Sequence, residues 1–179
     1  LFMGAIALGA MRAVPLKMLP YDNKNEFQIV VDMPEGSTLE RTDAVTRQLA
    51  GVLRRAPEVK DFQVFSGIAS PMDFNGMVRH SFLRQGPNVA DIRVNLVGKR
   101  NRSMQSHAMV LRLRNELEAI AWAEGARIAL TEVPAGPPVM STITAEIYGD
   151  LHTPYESFRE AALITAERLK REPGVSDVD

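Results

Sequence analysis

The chain has 179 residues, of which 45% are hydrophobic and 24% charged, an ordinary balance for a globular protein of one or two domains. Twenty-one Lys and Arg oppose 22 Asp and Glu, so the formal net charge is −1, without the basic excess that is typical of nucleic-acid binding. The lack of cysteine excludes disulfides, thiolate metal ligands and a thiol nucleophile.

The first eleven residues are uncharged and apolar, and Arg12 is the first charge after them. Eleven residues are too few to cross a bilayer, which takes about 20. The segment is typical of the end of a longer transmembrane helix, and we predict such a helix end over residues 1–18. A buried terminal helix is the alternative interpretation.

A strand, a helix and a second strand are predicted next. One face of the first strand carries Phe27, Ile29, Val31 and Met33, and the other carries Gln28, Val30 and Asp32. Ser37 and Glu40 have the spacing of a capping box and predict a helix over 38–55. In the second strand, Phe62 and Val64 alternate with Gln63 and Phe65. Alternation with a period of two indicates strands that each bury one face.

The same order follows once more, up to residue 131. A strand in which Ile92, Val94 and Leu96 alternate with Arg93 and Asn95 precedes a helix predicted over 103–123. A last strand has Ile128 and Leu130 alternating with Arg127, Ala129 and Thr131. The order β-α-β-β-α-β predicts an α+β fold, a two-layer ferredoxin-like sandwich in which both helices cover one face of a four-stranded sheet.

The proline-rich run over 134–138 cannot continue a central strand, so it predicts a subdomain boundary. We expect a first subdomain over 19–134 and an incomplete second βαβ module over 135–179. The module's predicted elements are a strand over 143–147, a helix over 153–171 with Phe158, Ala162, Ala166 and Leu169 facing inward, and the start of a strand at 175–178.

Residues 67–88 join the second and third strands without sustained periodicity. An ordinary hairpin loop has two to five residues, and much longer connections are usually functional or disordered. Its large apolar side chains, Phe74 and Met77 among them, are too many for a solvated loop, so we predict that it packs on another surface. We interpret it as a gating loop loosened by glycine, with Gly67, Ile68, Gly76 and Gly86 as its positions.

Signs of catalysis are lacking in the sequence. It has no phosphate-binding glycine loop and no dinucleotide fingerprint, and its three histidines do not have metal-ligand spacing. The nine methionines are scattered, which favours gap filling over a soft-metal site. Asp91 and Arg93 are expected on a solvated face. We therefore expect a protein that is not an enzyme, without a catalytic residue, metal site or cofactor.

The side of the predicted sheet away from the helices is the candidate binding surface, because it mixes amide, aromatic, aliphatic and charged groups. An ordinary wetted sheet face is the alternative, and the apolar loop beside the surface favours a binding site. The predicted substrate-binding residues are Gln28, Val30, Gln63, Phe65, Phe74, Met77, Arg93 and Asn95.

Three motifs carry a resemblance to a known family. Leu19-Pro20, the run MPEGSTLERT over 33–42 and the run PGVSDV over 173–178 resemble, in order and spacing, the resistance–nodulation–division efflux transporters. The resemblance implies a periplasmic porter region that follows a transmembrane helix, with Gln28, Val30, Gln63 and Phe65 facing a drug pocket or an entrance cleft. Drug exporters of the family carry phenylalanines after the glycine that matches Gly67, whereas this chain has Ile68 and Ser70.

The resemblance also implies a proton-driven multidrug or cation pump in the inner membrane, with this segment in the periplasm. The implied partners are the other protomers of a homotrimer, a periplasmic adaptor, an outer-membrane channel and small-molecule substrates. The proton-relay carboxylates of the family lie in transmembrane helices. The alternative hypothesis is a freestanding ligand-binding or assembly module with a ferredoxin-like core.

Overall fold

The computed structural model describes residues 11, 22–133, 143–173, 175 and 178. The chain divides into two compact units, Leu1–Pro138 and Val139–Asp179. Within the described residues, no helix combines the length and the apolar character needed to cross a membrane. The helix end predicted over 1–18 and the proline-rich run fall outside the described residues, apart from Met11.

The first unit is built on one antiparallel sheet of four strands, in the order β2-β3-β1-β4. The strands are β1 (Glu26–Asp32), β2 (Val59–Ile68), β3 (Gln85–Leu96) and β4 (Arg127–Glu132). Helix α1 (Leu39–Arg55) connects β1 to β2, and a second long helix (Ser106–Ala123) connects β3 to β4. This is the α+β, ferredoxin-like βαββαβ arrangement, and the predicted fold class is confirmed.

One core holds the two layers together. The alternating residues that predict one buried strand face are the buried ones: Phe27, Ile29, Val31, Ile92, Val94 and Leu96. They pack against one stripe of each long helix, with Val45, Leu49, Val52 and Leu53 from α1 and Met109, Val110, Leu113 and Leu117 from the second helix. Both helices therefore lie on the same face of the sheet, as predicted, and the opposite face is left for other contacts.

Helix α1 begins one residue later than the capping box predicts. Ser37 belongs to the turn after β1, where its N–H donates to the carbonyl of Pro34 at 3.1 Å. Gly36 makes this turn possible with a φ of +83°. The cap is Thr38, whose hydroxyl accepts from the Arg41 N–H at 3.3 Å.

Strands β2 and β3 extend into the segment that the sequence assigns to a loop. Gly67 and Ile68 close β2, and Gly86 lies in β3, so the prediction of one irregular loop over 67–88 is wrong at both ends. A register shift between Ser66 and Ile68 places Gly67 in a bulge with a φ of +81°. The remaining β2–β3 connection, residues 69–84, holds the short helix α2 (Phe74–Val78) and a 3-10 turn (Ser81–Leu83).

The long helix between β3 and β4 is α3 (Ser106–Ala123), which begins at Ser106 rather than at the predicted Ser103. In the second unit the only regular element among the described residues is α4 (Tyr155–Leu169). None of the residues of α4 is fully buried. Of the four residues predicted to face inward, Phe158, Ala166 and Leu169 are half-buried and only Ala162 is exposed.

The strand predicted over 143–147 does not form in the described residues. Ile143 and Ile147 are exposed there. A strand needs a neighbour to take its backbone hydrogen bonds, and among the described residues of this unit no strand is available for pairing. The strand start predicted at 175–178 has only Val175 and Val178 within the described residues, and neither is in a strand.

The core makes a direct prediction about stability. Leu49→Ala removes a fully buried side chain between α1 and the sheet and should lower the free energy of unfolding by about 2–5 kcal/mol. The matched control is Leu111→Ala, because Leu111 is 51% exposed on α3 and its truncation should cost less than about 0.5 kcal/mol. Urea denaturation of the chain measures both, and equal losses would contradict the described core.

Candidate functional site

The pairing of the strands brings the predicted binding residues into rows across the open face of the sheet, the face away from α1 and α3. The rows follow from the register of each strand pair. One row is Gln63, Arg93, Gln28 and Thr131, and the next is Phe65, Asp91, Val30 and Ala129. Asn95 lies beyond them, opposite Glu26 and Asp61, and its amide donates to the Asp61 carboxylate at 2.5 Å.

Asp91 stands in the middle of the open face, yet it is only 1% exposed. Its Oδ2 accepts the backbone N–H of Ser70 at 2.8 Å and the side-chain amide of Gln28 at 3.0 Å. The same amide lies 3.4 Å from the Ser70 hydroxyl. The expectation of a solvated face is therefore wrong for Asp91, because the β2–β3 connection folds over it.

Arg93, in the row next to that of Asp91, makes a second set of contacts with the connection. Its guanidinium forms an ion pair with Asp73 and donates to the carbonyl of Pro71 at 3.2 Å. Asp73 also caps α2, because its Oδ1 accepts the Gly76 N–H at 2.7 Å. Burial raises the pKa of the Asp73 carboxyl, but the hydrogen bonds from Gly76 and Arg93 and the Arg93 charge outweigh it, so the pKa lies below that of an ordinary aspartate.

The far end of the connection is tied to β1. Arg84 donates to the Val31 carbonyl at 3.1 Å and pairs with Asp32 at 2.8 Å. The Ala69 N–H donates to the Arg84 carbonyl at 3.1 Å, so the two ends of the connection also meet each other. Residues 69–84 are thus fixed to the sheet by polar groups at both ends and by the Arg93–Asp73 pair between them.

A cleft opens between the sheet and α2. Its cavity volume is only about 20 Å³, about the space of one water molecule, so the cleft is a shallow depression. The residues around it come from β1, β3, β4 and the connection, and they are mixed polar and apolar: Glu26, Phe27, Gln28, Asp73, Asn75, Arg79, Arg93, Thr131, Glu132 and Val133. The lining offers both apolar and hydrogen-bonding contacts, and a ligand larger than water would require the cleft to widen.

Of the eight predicted substrate-binding residues, the structure brings Gln28 and Arg93 together in this cleft. Four others lie on the open face outside the cleft lining: Val30, Gln63, Phe65 and Asn95. Phe74 and Met77 belong to α2, where they are 63% and 45% exposed rather than packed on the sheet. With Met72, Phe82 and Leu83 they give the connection an exposed apolar outer side.

Gly76 has a packing role within the connection. A Cβ at this position would lie 2.6 Å from the Ser81 hydroxyl oxygen, which is closer than any side chain allows. That hydroxyl donates to the Gly76 carbonyl at 3.2 Å and joins α2 to the 3-10 turn. The predicted gating positions therefore occupy three different settings: the bulge of β2 with Gly67 and Ile68, the helix α2 with Gly76, and the start of β3 with Gly86.

A histidine–carboxylate pair joins α3 to the end of β4. Nδ1 of His107, in the first turn of α3, is 2.6 Å from Oε2 of Glu132 at the end of β4. The other two histidines, His80 and His152, are exposed. Across the part of the chain that the structure describes, no group of three His, Cys, Asp or Glu side chains is placed to hold a metal ion.

The sequence reasoning missed several residues that build the site. Asp73 had a readable signal, since an aspartate three residues before a glycine at a helix start is typical of an N-cap. The alternation of the last strand places Thr131 on the open face, although Thr131 is not among the predicted binding residues. No signal in the sequence separates Asp91, Ser70 and Arg79 from ordinary surface residues, because their placement depends on how the connection folds back over the sheet.

The profile of the AcrB/AcrD/AcrF family matches residues 1–179 of the chain. The chain belongs to the AcrB/AcrD/AcrF family. Members of this family are efflux transporters of the resistance–nodulation–division class, so the resemblance drawn from the three sequence motifs is confirmed. Among curated proteins, none matches the chain.

Two solved structures, both of a heavy metal efflux pump in different crystal forms, have the same fold as this AcrB/AcrD/AcrF family chain. The TM-score is 0.64 for each, the sequence identities are 16% and 18%, and each covers 98% of the chain. The chain spans only 18% and 17% of the length of those pump chains.

The lowered pKa of Asp73 leads to a pH prediction. A carboxylate whose pKa is depressed on folding stabilises the fold above its unfolded pKa, and this contribution is lost as the pH falls through the depressed value. The Gly76 amide resonance, which reports on its hydrogen bond to Asp73, should therefore titrate below the ordinary aspartate value of 3.8.

Arg93→Gln should move this midpoint upward, because it removes the charge beside the carboxylate. The control is Arg112→Gln, since Arg112 pairs with Glu58 on another part of the unit and should leave the midpoint unchanged. NMR titration of the amide measures the three midpoints, and a midpoint that does not respond to Arg93→Gln would refute the assigned role of the ion pair.

Proposed function

We propose that this chain is the periplasmic porter portion of a proton-driven multidrug or cation efflux pump. Residues 1–18 would be the end of a transmembrane helix, 19–134 the first porter subdomain, and 135–179 the first part of the second. Membership of the AcrB/AcrD/AcrF family supports this assignment, and so does the porter-like α+β fold of the first unit. Family membership also favours the pump over the freestanding module.

The exported molecule, in this proposal, binds in the cleft between the open face of the sheet and α2. The single observation that carries the proposal is this cleft, which lies on the one sheet face that the helices leave free and beneath a segment of the same chain. Its lining places Val133 beside the polar residues Gln28 and Thr131. This favours an amphiphilic small molecule as substrate.

A heavy metal ion is the cargo named for the two similar pumps. The described residues offer no cluster of three His, Cys, Asp or Glu side chains for such an ion, and the thioethers of Met72 and Met77 are exposed on the connection. We therefore favour the amphiphilic molecule for this chain.

The β2–β3 connection would act as the gate of this cleft, with Gly76 within it and Gly67, Ile68 and Gly86 in the strand ends that flank it. It is held to the sheet by a small number of polar contacts, and its large apolar side chains face outward. A segment of this kind can change position by exchanging a few hydrogen bonds without unpacking the core. The pump would further act as a homotrimer in the inner membrane, with an adaptor and an outer-membrane channel as partners.

Two substitutions in the complete transporter test the open face, one within the cleft and one outside it. Thr131→Val removes a hydroxyl from the lining with little change in volume, and Phe65→Ala removes an aromatic ring from the open face. Each should change the export of some compounds in a panel more than others, by about 2- to 12-fold for the aromatic ring. Growth inhibition of cells that express each variant measures the change.

The matched control is Trp122→Ala, because Trp122 is 78% exposed on α3, on the helical side of the sheet. Its substrate range should equal that of the parent at the same membrane level. If both test variants export every compound at the parental rate, the open face of the sheet does not bind the substrate.

A further inference from the structure

Asp91 is the most unusual group on the open face. It is a carboxylate, it is 1% exposed, and it lies on a sheet surface with no apolar core of its own. Burying a carboxylate is costly unless hydrogen bonds replace its water. Those bonds come from two different parts of the fold, the Gln28 amide on β1 and the Ser70 N–H of the β2–β3 connection.

Two contacts hold the first part of the connection on the sheet, and they differ in their exposure to solvent. The bond from the Ser70 N–H to Asp91 is buried, and a charge-assisted bond shielded from water is roughly twice as strong as a neutral one. The side chains of Arg93 and Asp73 are 24% and 35% exposed, so solvent screens their attraction. The root of the connection at Ser70 is therefore held more firmly than its tip at α2.

Gln28 links this anchor to the cleft. Its amide donates to Asp91, and the same side chain lines the cleft beside Arg93. Asp91 itself does not line the cleft, so it has no direct access to a bound molecule there. Any influence on substrate passes through the orientation of Gln28 and the placement of Ser70.

We propose that Asp91 is the positioning residue of the β2–β3 connection: it fixes the root at Ser70 and the orientation of the Gln28 amide, while the tip carrying α2 moves. The effect on substrate rests on the proposed function of the cleft. On this account the range of compounds that fit depends on a residue that does not touch them.

Hydrogen exchange of the unmodified 179-residue chain provides the first test. The Ser70 amide should exchange at least about tenfold more slowly than the amides of α2, because opening at the tip leaves the buried bond intact. Equal exchange rates at Ser70 and in α2 would overturn the proposal, and this measurement needs no variant.

Variants supply the second test. Asp91→Ala should raise the exchange rate of the Ser70 amide about tenfold or more, and Asp91→Asn should restore much of the protection, because its amide oxygen still accepts the N–H. The matched control is Asp61→Ala, which removes another carboxylate that accepts a hydrogen bond on the same sheet face, away from the connection. Circular dichroism and urea denaturation establish that each variant is folded.

Transport by the complete transporter gives the third readout. Asp91→Ala should raise the KM for at least one exported compound several-fold with a smaller change in maximal rate, Asp91→Asn should lie between it and the parent, and Asp61→Ala should match the parent. An unchanged KM for Asp91→Ala, when Thr131→Val and Phe65→Ala do alter export, overturns the role of Asp91 and leaves the proposed cleft intact. If none of the three alters export, the proposed function fails as well.

Discussion

The register of β3 against β1 and β2 is the constraint on which the rest of the structure depends. Ile92 and Val94 must face the helices to complete the core, so Asp91 and Arg93 must face the other side. A slip of one residue would bury both charged groups under the helices and expose the aliphatic ones. Apolar packing on one face thereby determines the position of every polar group on the other.

The two faces of the sheet are covered in physically different ways. On the helical face, close apolar packing joins strands and helices over a wide area. On the open face, the β2–β3 connection is held by directional bonds to Asp91, Arg93 and Asp32. Apolar packing over a wide area resists displacement of any part of it, whereas a few directional bonds break and re-form one at a time. The fold therefore combines a closely packed platform with a segment that is attached to it by a few directional bonds.

The low sequence identity to the heavy metal efflux pumps agrees with this difference between the two faces of the sheet. At 16% and 18% identity the fold is retained, because a two-layer sandwich requires only the correct alternation of apolar residues and about the right volumes. The open face is under no such requirement. Packing of the core does not determine which polar side chains stand there, such as Gln28 and Thr131.

The sequence by itself determined the sandwich, the two long helices and the face on which each strand residue lies, because helical and strand periodicities record which side chains meet the core. It also indicated the family, through short motifs at turns and helix starts. Tertiary structure alone decided the burial of Asp91, the partnership of Arg93 with Asp73 and the cleft beneath α2. These depend on where residues 69–84 fold back, and contacts between residues some 20 positions apart leave no periodic trace. The segment over 143–147 shows the opposite case. Its alternation predicts a strand, but none forms there, because a strand requires a neighbour that takes its hydrogen bonds.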